Sequence, residues 1–142
     1  MRIGLALLVV LCVAAPASAD SQVNNLAKFY KKEGAVCAQY AAGLASAQDR
    51  AQPYLDDKEI ADDVAVITSA HGVVQDYCDA IDATLQVLTA DPKATYKQLA
   101  TEIDHHDAIV RAGRKATKQA IEDTNPVIQR LIPKINKRRA SS

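Results

Sequence analysis

The stretch KEIADDVAVITSAHGVVQDYCDAIDATLQVLTA, residues 58–90, decides the fold of this 142-residue chain. Its apolar residues recur at alternating steps of four and three, the spacing of one face of a helix that packs against other helices. The positions on this face are Ile60, Val64, Ile67, His71, Val74, Cys78, Ile81, Leu85 and Leu88. The stretch therefore predicts a long bundle helix, and His71 and Cys78 are the two members able to do chemistry.

Helical patterns also precede and follow this stretch. The first ends before Pro53, because the residue preceding a proline is disfavoured in a helix. The third follows the pair Asp91-Pro92, and Asn125-Pro126 repeats that signal and predicts a short further helix ending near Pro133. The expected helix caps are Ser21, Asp56 and Asp91. We predict an all-α antiparallel bundle of three long helices plus a short C-terminal helix.

The N-terminus has the three parts of a secretory signal peptide over residues 1–19. Arg2 precedes an apolar run over residues 3–15, and Ala17-Ser18-Ala19 forms the cleavage-type ending. The run is shorter than the ~20 residues that a membrane span needs, and no second such segment follows. We therefore predict a periplasmic or secreted mature protein with no transmembrane span. Its helical bundle domain covers residues 20–133, and a basic C-terminal tail covers residues 134–142.

Charge is balanced overall but unevenly placed. The chain has 17 Lys and Arg and 17 Asp and Glu, so no net charge attracts nucleic acid or an anionic membrane. Residues 49–91 contain ten acids and two bases, whereas residues 108–142 contain nine bases and two acids. We expect an acidic helix to pack beside a basic one; the alternative is an external charged partner. With no Trp and one Phe, base-stacking platforms are lacking, which argues against a nucleic-acid partner.

Two cysteines remain once the leader, with Cys12, is removed. Cys37 and Cys78 are 41 residues apart. In an oxidising compartment such a pair forms a disulfide, which in the chain-entropy model stabilises the fold by roughly 4 kcal/mol. The alternative is a pair of buried free thiols.

Histidines are the candidate ligands. His71 and His106 each replace an apolar seam residue, and counting from the Asp91 turn sets them about 7 Å apart along the bundle. That offset is loose for one metal ion but suits two imidazoles flanking a flat cofactor such as haem. Glu102 and His105 have the Glu-x-x-His spacing of carboxylate-bridged di-iron bundles, although no second such pair exists. The alternative for these residues is a satisfied core histidine and a solvated helix face.

Catalytic motifs are lacking in this sequence. Ser69 is two residues from His71 and points off a different helical face, and neither a glycine-rich phosphate loop nor a Cys-x-x-Cys-His haem motif occurs. We therefore expect no cofactor and no enzyme, but a non-enzymatic exported module that binds protein or acts as a structural or inhibitory partner. Its partner would be another exported or cell-envelope protein. The alternative function is a metal- or haem-binding periplasmic bundle that uses the seam histidines.

Overall fold

A computed structural model describes residues 20–141 and contains three α-helices. These are α1 (Ser21–Ala51), α2 (Lys58–Thr89) and α3 (Tyr96–Ala140), with a short 3₁₀ turn, Gln52–Tyr54, after α1. The described residues contain no strand, so the all-α class is confirmed. None of these helices is apolar enough over its length to cross a membrane. The predicted signal peptide lies outside the described residues.

The core is built on a seven-residue repeat. Each helix buries one residue per heptad along a continuous line, the period of helices whose side chains interlock. The members are Val23, Tyr30, Cys37, Leu44 and Ala51 on α1, Ile60, Ile67, Val74, Ile81 and Leu88 on α2, and Ile103, Val110, Thr117, Thr124 and Leu131 on α3. This repeat makes one bundle core from three helices.

The prediction of which residues form the inward face of α2 is confirmed only in part. Its heptad line from Ile60 to Leu88 is buried as expected. The intervening buried positions fall one residue earlier than predicted: they are Asp63, Ala70, Tyr77 and Thr84, whereas Val64, His71, Cys78 and Leu85 are only half-buried. The reason is that α2 packs against two helices at once. Cys78 faces α1, while Asp63 faces α3, so the inward face is wider than a single seam.

Contacts between the helices fix their register. The predicted disulfide is confirmed, because Cys37 of α1 is bonded to Cys78 of α2. Residue numbers fall along α2 as they rise along α1, because the next polar contact after this disulfide is the hydrogen bond from Gln48 Nε2 to Thr68 Oγ1, at 2.6 Å. The acidic start of α2 lies beside the basic end of α3, as the charge pattern predicted. The ion pairs there are Glu59–Lys134, Asp63–Lys134 and Asp63–Arg130.

The predicted separate C-terminal helix is wrong. Helix α3 continues through Pro126 and Pro133 to Ala140 and so includes residues 134–140 of the predicted basic tail. A proline inside a helix costs about 3 kcal/mol. Both prolines are exposed, however, and the turns around them bury Val127 and Leu131. The two prolines together cost about 6 kcal/mol, and burying two such side chains offsets about 3–6 kcal/mol of this. The ion pairs that Arg130 and Lys134 make with Asp63 hold the same part of α3 against α2.

Helix starts differ from the predicted ones by one to four residues. Asp20, not Ser21, caps α1, and Asp57, not Asp56, caps α2 by accepting from the backbone N–H groups of the first turn. Helix α3 begins after Thr95, whose N–H donates to the Gln98 side chain at 2.8 Å. Asp91 instead accepts from the Lys93 N–H at 2.9 Å in the preceding turn. The later start of α3 shifts its register against α2.

Candidate binding groove

Helices α1 and α3 meet near their N-terminal ends. The Asp20 carboxylate, besides capping α1, accepts from the Tyr96 N–H at 3.1 Å. The buried Tyr30 hydroxyl donates to Asp107 at 2.7 Å. Burial, followed by this bond to a carboxylate, raises the pKa of Tyr30, so the phenol remains a donor at neutral pH. These contacts hold one end of the α1–α3 pair closed.

Further along the helices the two separate into an open groove. Three adjoining cavities of about 320, 470 and 190 Å³ lie between α1 and α3. The first two share Tyr40 and Ile121, and the second and third share Gly43 and Ile128. The cavities therefore form one continuous groove, hereafter the α1–α3 groove.

Both walls of the α1–α3 groove have helical-packing periodicity. On α1 the wall residues include Glu33, Val36, Tyr40, Gly43, Ala47 and Arg50, and Gln39, Leu44 and Ser46 lie beside them. On α3 they include Lys118, Ile121, Asn125, Ile128, Ile132 and Ile135. Each set advances by alternating steps of three and four, the same spacing as the core seams. Helices α1 and α3 thus each carry a second seam beside the one packed on α2.

Large apolar side chains on these second seams are exposed. Val36, Tyr40 and Ile132 are 47%, 45% and 48% exposed. Single exposed apolar residues are ordinary on protein surfaces, but a contiguous apolar patch rimmed by polar groups marks an interaction site. Here three of them line one groove and are spaced as on an interacting helix face.

A polar cluster closes the inner end of the groove. Tyr77 donates its hydroxyl hydrogen bond to Glu33, and the same carboxylate oxygen accepts from Arg114 at 3.0 and 3.1 Å. Burial, and then the bond to Glu33, raises the pKa of Tyr77; the bond to Tyr77 raises the pKa of Arg114. Tyr77 therefore stays protonated and Arg114 charged at neutral pH. Glu33 is thus paired with a base of α3.

Gly113 explains how Tyr77 reaches this cluster. A Cβ at Gly113 would lie 3.0 Å from the Tyr77 ring and 3.5 Å from its Cα, so the missing side chain lets α2 and α3 approach closely. Arg114, the next residue, also lies over the Phe29 ring, with its guanidinium carbon 5.6 Å from the ring centre. The close approach therefore places a phenol, a carboxylate and a guanidinium at one end of the groove.

Thr117 provides an unpartnered polar atom at this end. The residue is only 4% exposed and lines the first cavity. Among the described residues its Oγ1 is the one buried side-chain N or O atom with no hydrogen-bond partner. Burying a hydroxyl in that state costs roughly 1–3 kcal/mol. The Oγ1 atom itself has almost no accessible surface, so this hydroxyl lies beneath the groove surface rather than open to it.

The structure does not bring His71 and His106 together. Tyr77 is level with Arg114, and Asp63 with Arg130, so His71 lies between these two levels. His106 lies beyond the Tyr77 level, on the opposite side from His71. Counting residues from these contacts separates the two histidines by about 21 Å along the bundle, not 7 Å. The expected offset counted both helices from one level beside Asp91, whereas the Tyr77–Arg114 and Asp63–Arg130 contacts set a different register of α3 against α2.

Glu102 and His105 lie on α3 away from the α1–α3 groove. Both side chains are exposed, and the His105 ring contacts only the adjacent His106 ring edge-on, with centroids 5.6 Å apart. Across residues 20–141 no three His, Cys, Asp or Glu side chains are grouped closely enough to hold a metal ion. Glu102 and His105 therefore lie on the same helix as His106, apart from His71 on α2 and from the groove.

Sequence reasoning missed the groove and also a buried carboxylate. Asp63 is 3% exposed and is held by Arg130 and Lys134 of α3. The signal for the groove was present, because Val36 and Tyr40 stand at helical spacing, and Val36 and Gly43 each precede a core residue, Cys37 and Leu44, by one position. A second apolar seam on one helix indicates a second neighbour.

Comparison with known proteins gives no family for this chain: no family model, curated protein or solved structure matches it. The α1–α3 groove joins an apolar surface with helical spacing to a polar end formed by Tyr77, Glu33 and Arg114.

Proposed function

We propose that this protein is an exported, non-enzymatic module that binds an amphipathic helix of another exported or cell-envelope protein in the α1–α3 groove. The observation that carries the proposal is the heptad spacing of both groove walls. A helix laid between two such seams inserts its apolar side chains into the holes that they form. A flexible acyl chain or a small molecule requires no such repeat.

The length of the groove also suits a helix. From Glu33 to Arg50 the α1 wall is about 25 Å long, close to five helical turns. A partner helix of this length would present about five apolar residues to the groove at three- and four-residue spacing. It would convert the three-helix arrangement into a four-helix one. In this proposal α2 runs antiparallel to α1 and α3, which is supported by the opposed numbering of their contacting residues.

Export is supported by two features of the chain. The disulfide between Cys37 and Cys78 belongs to an oxidising compartment, and residues 1–19 have the pattern of a signal peptide. The partner would then be met outside the cytoplasm, in the periplasm or beyond. Cofactor binding by the seam histidines remains a separate prediction, checked by metal analysis and a visible absorption spectrum of the purified protein.

Site-specific photo-crosslinking in the producing cells tests the proposal. A photoreactive residue replaces Val36 in the groove or, as the matched control, Val66 on α2, which is 42% exposed but lies outside the groove. We expect position 36 to crosslink to one protein, at a segment whose apolar residues recur at helical spacing, and position 66 not to. Equal crosslinking at both positions, a product containing only this chain, or attachment to a non-helical segment would contradict the proposal.

A substitution then measures the contribution of the groove. Val36→Glu puts a charge on the apolar wall and should weaken binding of the crosslinked partner at least tenfold, whereas Val66→Glu should leave it unchanged. Both positions are exposed, so both variants should keep the thermal stability of the parent protein. Equal affinity of the two variants for the partner would exclude the groove as the binding surface.

A further inference from the structure

The three cavities of the α1–α3 groove are arranged with a seven-residue repeat along α3. On this helix the second cavity, hereafter the middle cavity, is bordered by Ile121, Thr124, Asn125 and Ile128. These are positions i, i+3, i+4 and i+7, the four that surround one hole on a helix surface when a facing side chain inserts into it. The first cavity has the same four positions counted from Arg114, and the third has them counted from Ile128. The groove therefore offers one hole per heptad to an occupant.

Helix α1 borders the middle cavity in the same way, but with one side chain missing. Tyr40, Gly43 and Leu44 occupy positions i, i+3 and i+4. A Cβ built on Gly43 would lie in open space, with no contact within 4 Å in the part of the chain that the structure describes. No positive φ requires a glycine at this position. The absent side chain therefore leaves room in the middle cavity, which at about 470 Å³ is the largest of the three.

No charged residue borders the middle cavity among the residues that the structure describes. Its floor contains Leu44 and Thr124, both buried, and the Thr124 hydroxyl already donates to the Ala120 carbonyl. Gln39 and Asn125 are exposed and add neutral amide groups at its rim. The first cavity, by contrast, is bordered by two acids and two bases. Because its walls are mainly apolar and uncharged, the middle cavity suits an apolar side chain.

The third cavity, hereafter the outer cavity, is narrower. It has about 190 Å³, and three isoleucines of α3 border it: Ile128, Ile132 and Ile135. A helix laid along the groove would thus meet a wide hole and a narrow hole one heptad apart. Since packed interfaces tolerate neither voids nor overfilled holes, the two holes select seam residues of different size.

Resting on the proposed function, we infer that the middle cavity receives one large apolar side chain of the partner helix, the size of leucine or phenylalanine, and that the outer cavity receives a small one such as alanine. Gly43 is the specificity-determining residue, because a side chain at this position would occupy the space that the partner side chain fills. The partner is thereby defined as a helix whose seam residues one heptad apart differ in size, not as any apolar helix.

Gly43→Leu fills the middle cavity from the α1 side. Leucine favours helix more than glycine does and meets open space, so the melting temperature should stay the same or rise. Binding of the protein crosslinked at position 36 should weaken at least tenfold, and Gly43→Ala, which fills less of the cavity, should weaken it by a smaller factor. The matched control is Gly72→Leu on α2, where a Cβ also meets open space but lies outside the groove. That variant should leave binding unchanged.

A reciprocal substitution in the partner separates recognition from folding. A photoreactive residue at Gln39, which is exposed and borders the middle cavity, identifies the partner side chain there. We expect attachment within one helical turn of a large apolar residue. Truncating that residue to alanine should weaken binding to the parent protein but strengthen binding to Gly43→Leu, because the leucine then occupies the vacated space. A glycine that acted only on the stability of α1 would not produce this exchange of sizes.

The outcomes distinguish the two proposals. Unchanged binding by Gly43→Leu, or a lower melting temperature of that variant, overturns the role of Gly43. A small or charged partner residue at the middle cavity, or a truncated partner that gains no affinity for Gly43→Leu, overturns the size selection. In each of these cases a tenfold loss of binding by Val36→Glu would still support the groove as a helix site. Absence of crosslinks at position 36 in cells would instead refute the proposed function, and this inference with it.

Discussion

Asp63→Ala probes the strongest electrostatic contact between α2 and α3. One carboxylate oxygen of Asp63 accepts from Arg130 Nε and Nη2 at 2.8 and 2.7 Å, and the other accepts from Lys134 Nζ at 3.0 Å. The carboxylate is 4% exposed, so these three bonds replace its water. Removing it leaves two cations that must be rehydrated.

The loss of unfolding free energy caused by Asp63→Ala depends on how deeply each ion-pair partner is buried. Breaking a fully buried ion pair by removing one member costs about 3–5 kcal/mol. Here the Arg130 and Lys134 side chains are 54% and 30% exposed and can turn towards water. The cost should therefore be lower, about 2–3 kcal/mol of unfolding free energy. For a domain of this size that lowers the melting temperature by about 10 °C.

The pH dependence gives an independent check. Burial acts to raise the pKa of Asp63, but the hydrogen bonds from Arg130 and Lys134 outweigh it and hold the pKa below its ordinary value. A lowered folded-state pKa means that the stabilisation is present above the unfolded pKa, near 4, and is lost as pH falls through the folded value. The difference between parent and Asp63→Ala should thus be constant above about pH 5 and shrink below pH 4.

Urea denaturation followed by circular dichroism at several pH values measures this difference. Asp62→Ala is the matched control, since Asp62 is adjacent but 66% exposed and pairs only with Lys58 of the next turn, at 2.7 Å. It should cost under about 0.5 kcal/mol. The reasoning is refuted if the two variants are equally stable at pH 7, or if the Asp63→Ala deficit persists undiminished at pH 3.

Two further predictions concern packing and covalent linkage. Gly113→Ala should destabilise by about 1–2 kcal/mol in denaturant titrations, because its Cβ would lie 3.0 Å from the Tyr77 ring. Gly72→Ala, where nothing lies within 4 Å, should instead gain up to about 1 kcal/mol from helix propensity, and loss of stability there would contradict the packing argument. The intact mass of the exported protein should be two hydrogens below that of the reduced chain, and reduction should lower the unfolding free energy by roughly 4 kcal/mol. Free thiols labelled under denaturation, or an unchanged denaturation midpoint, would contradict the disulfide.

The burial of apolar residues that recur every seven positions was predictable from sequence. Ile60, Ile67 and Val74 are buried as their spacing requires, and the disulfide followed from two cysteines in a chain predicted to be exported. Asp63 was not predictable in the same way. An acid at an inward position looks unfavourable until its partners are known, and those partners, Arg130 and Lys134, are 67 and 71 residues away on another helix. A local sequence pattern does not identify partners that lie so far along the chain.

The prediction that a separate helix begins at Pro126 failed for a related reason. The sequence rule treats Pro126 as the start of a new helix, because a proline removes one backbone hydrogen bond and disfavours helix in the residue before it. That cost is local, whereas the gain from keeping α3 continuous is distributed over Val127, Leu131 and the ion pairs of Lys134. A local penalty of about 3 kcal/mol is outweighed when several tertiary contacts depend on the same helix direction.

The continuity of α3 also extends the α1–α3 groove. If α3 had ended at Asn125, the outer half of the groove would have lost its wall of Ile128, Ile132 and Ile135. Of these, Ile128 and Ile135 are half-buried against the core, whereas Ile132 is 48% exposed. Such an exposed apolar side chain on the wall of a groove is typical of a surface that another molecule covers. The same extended helix thus supplies the Asp63 ion pairs on one side and the groove on the other, which is why folding and binding can be separated by substitutions on its two faces.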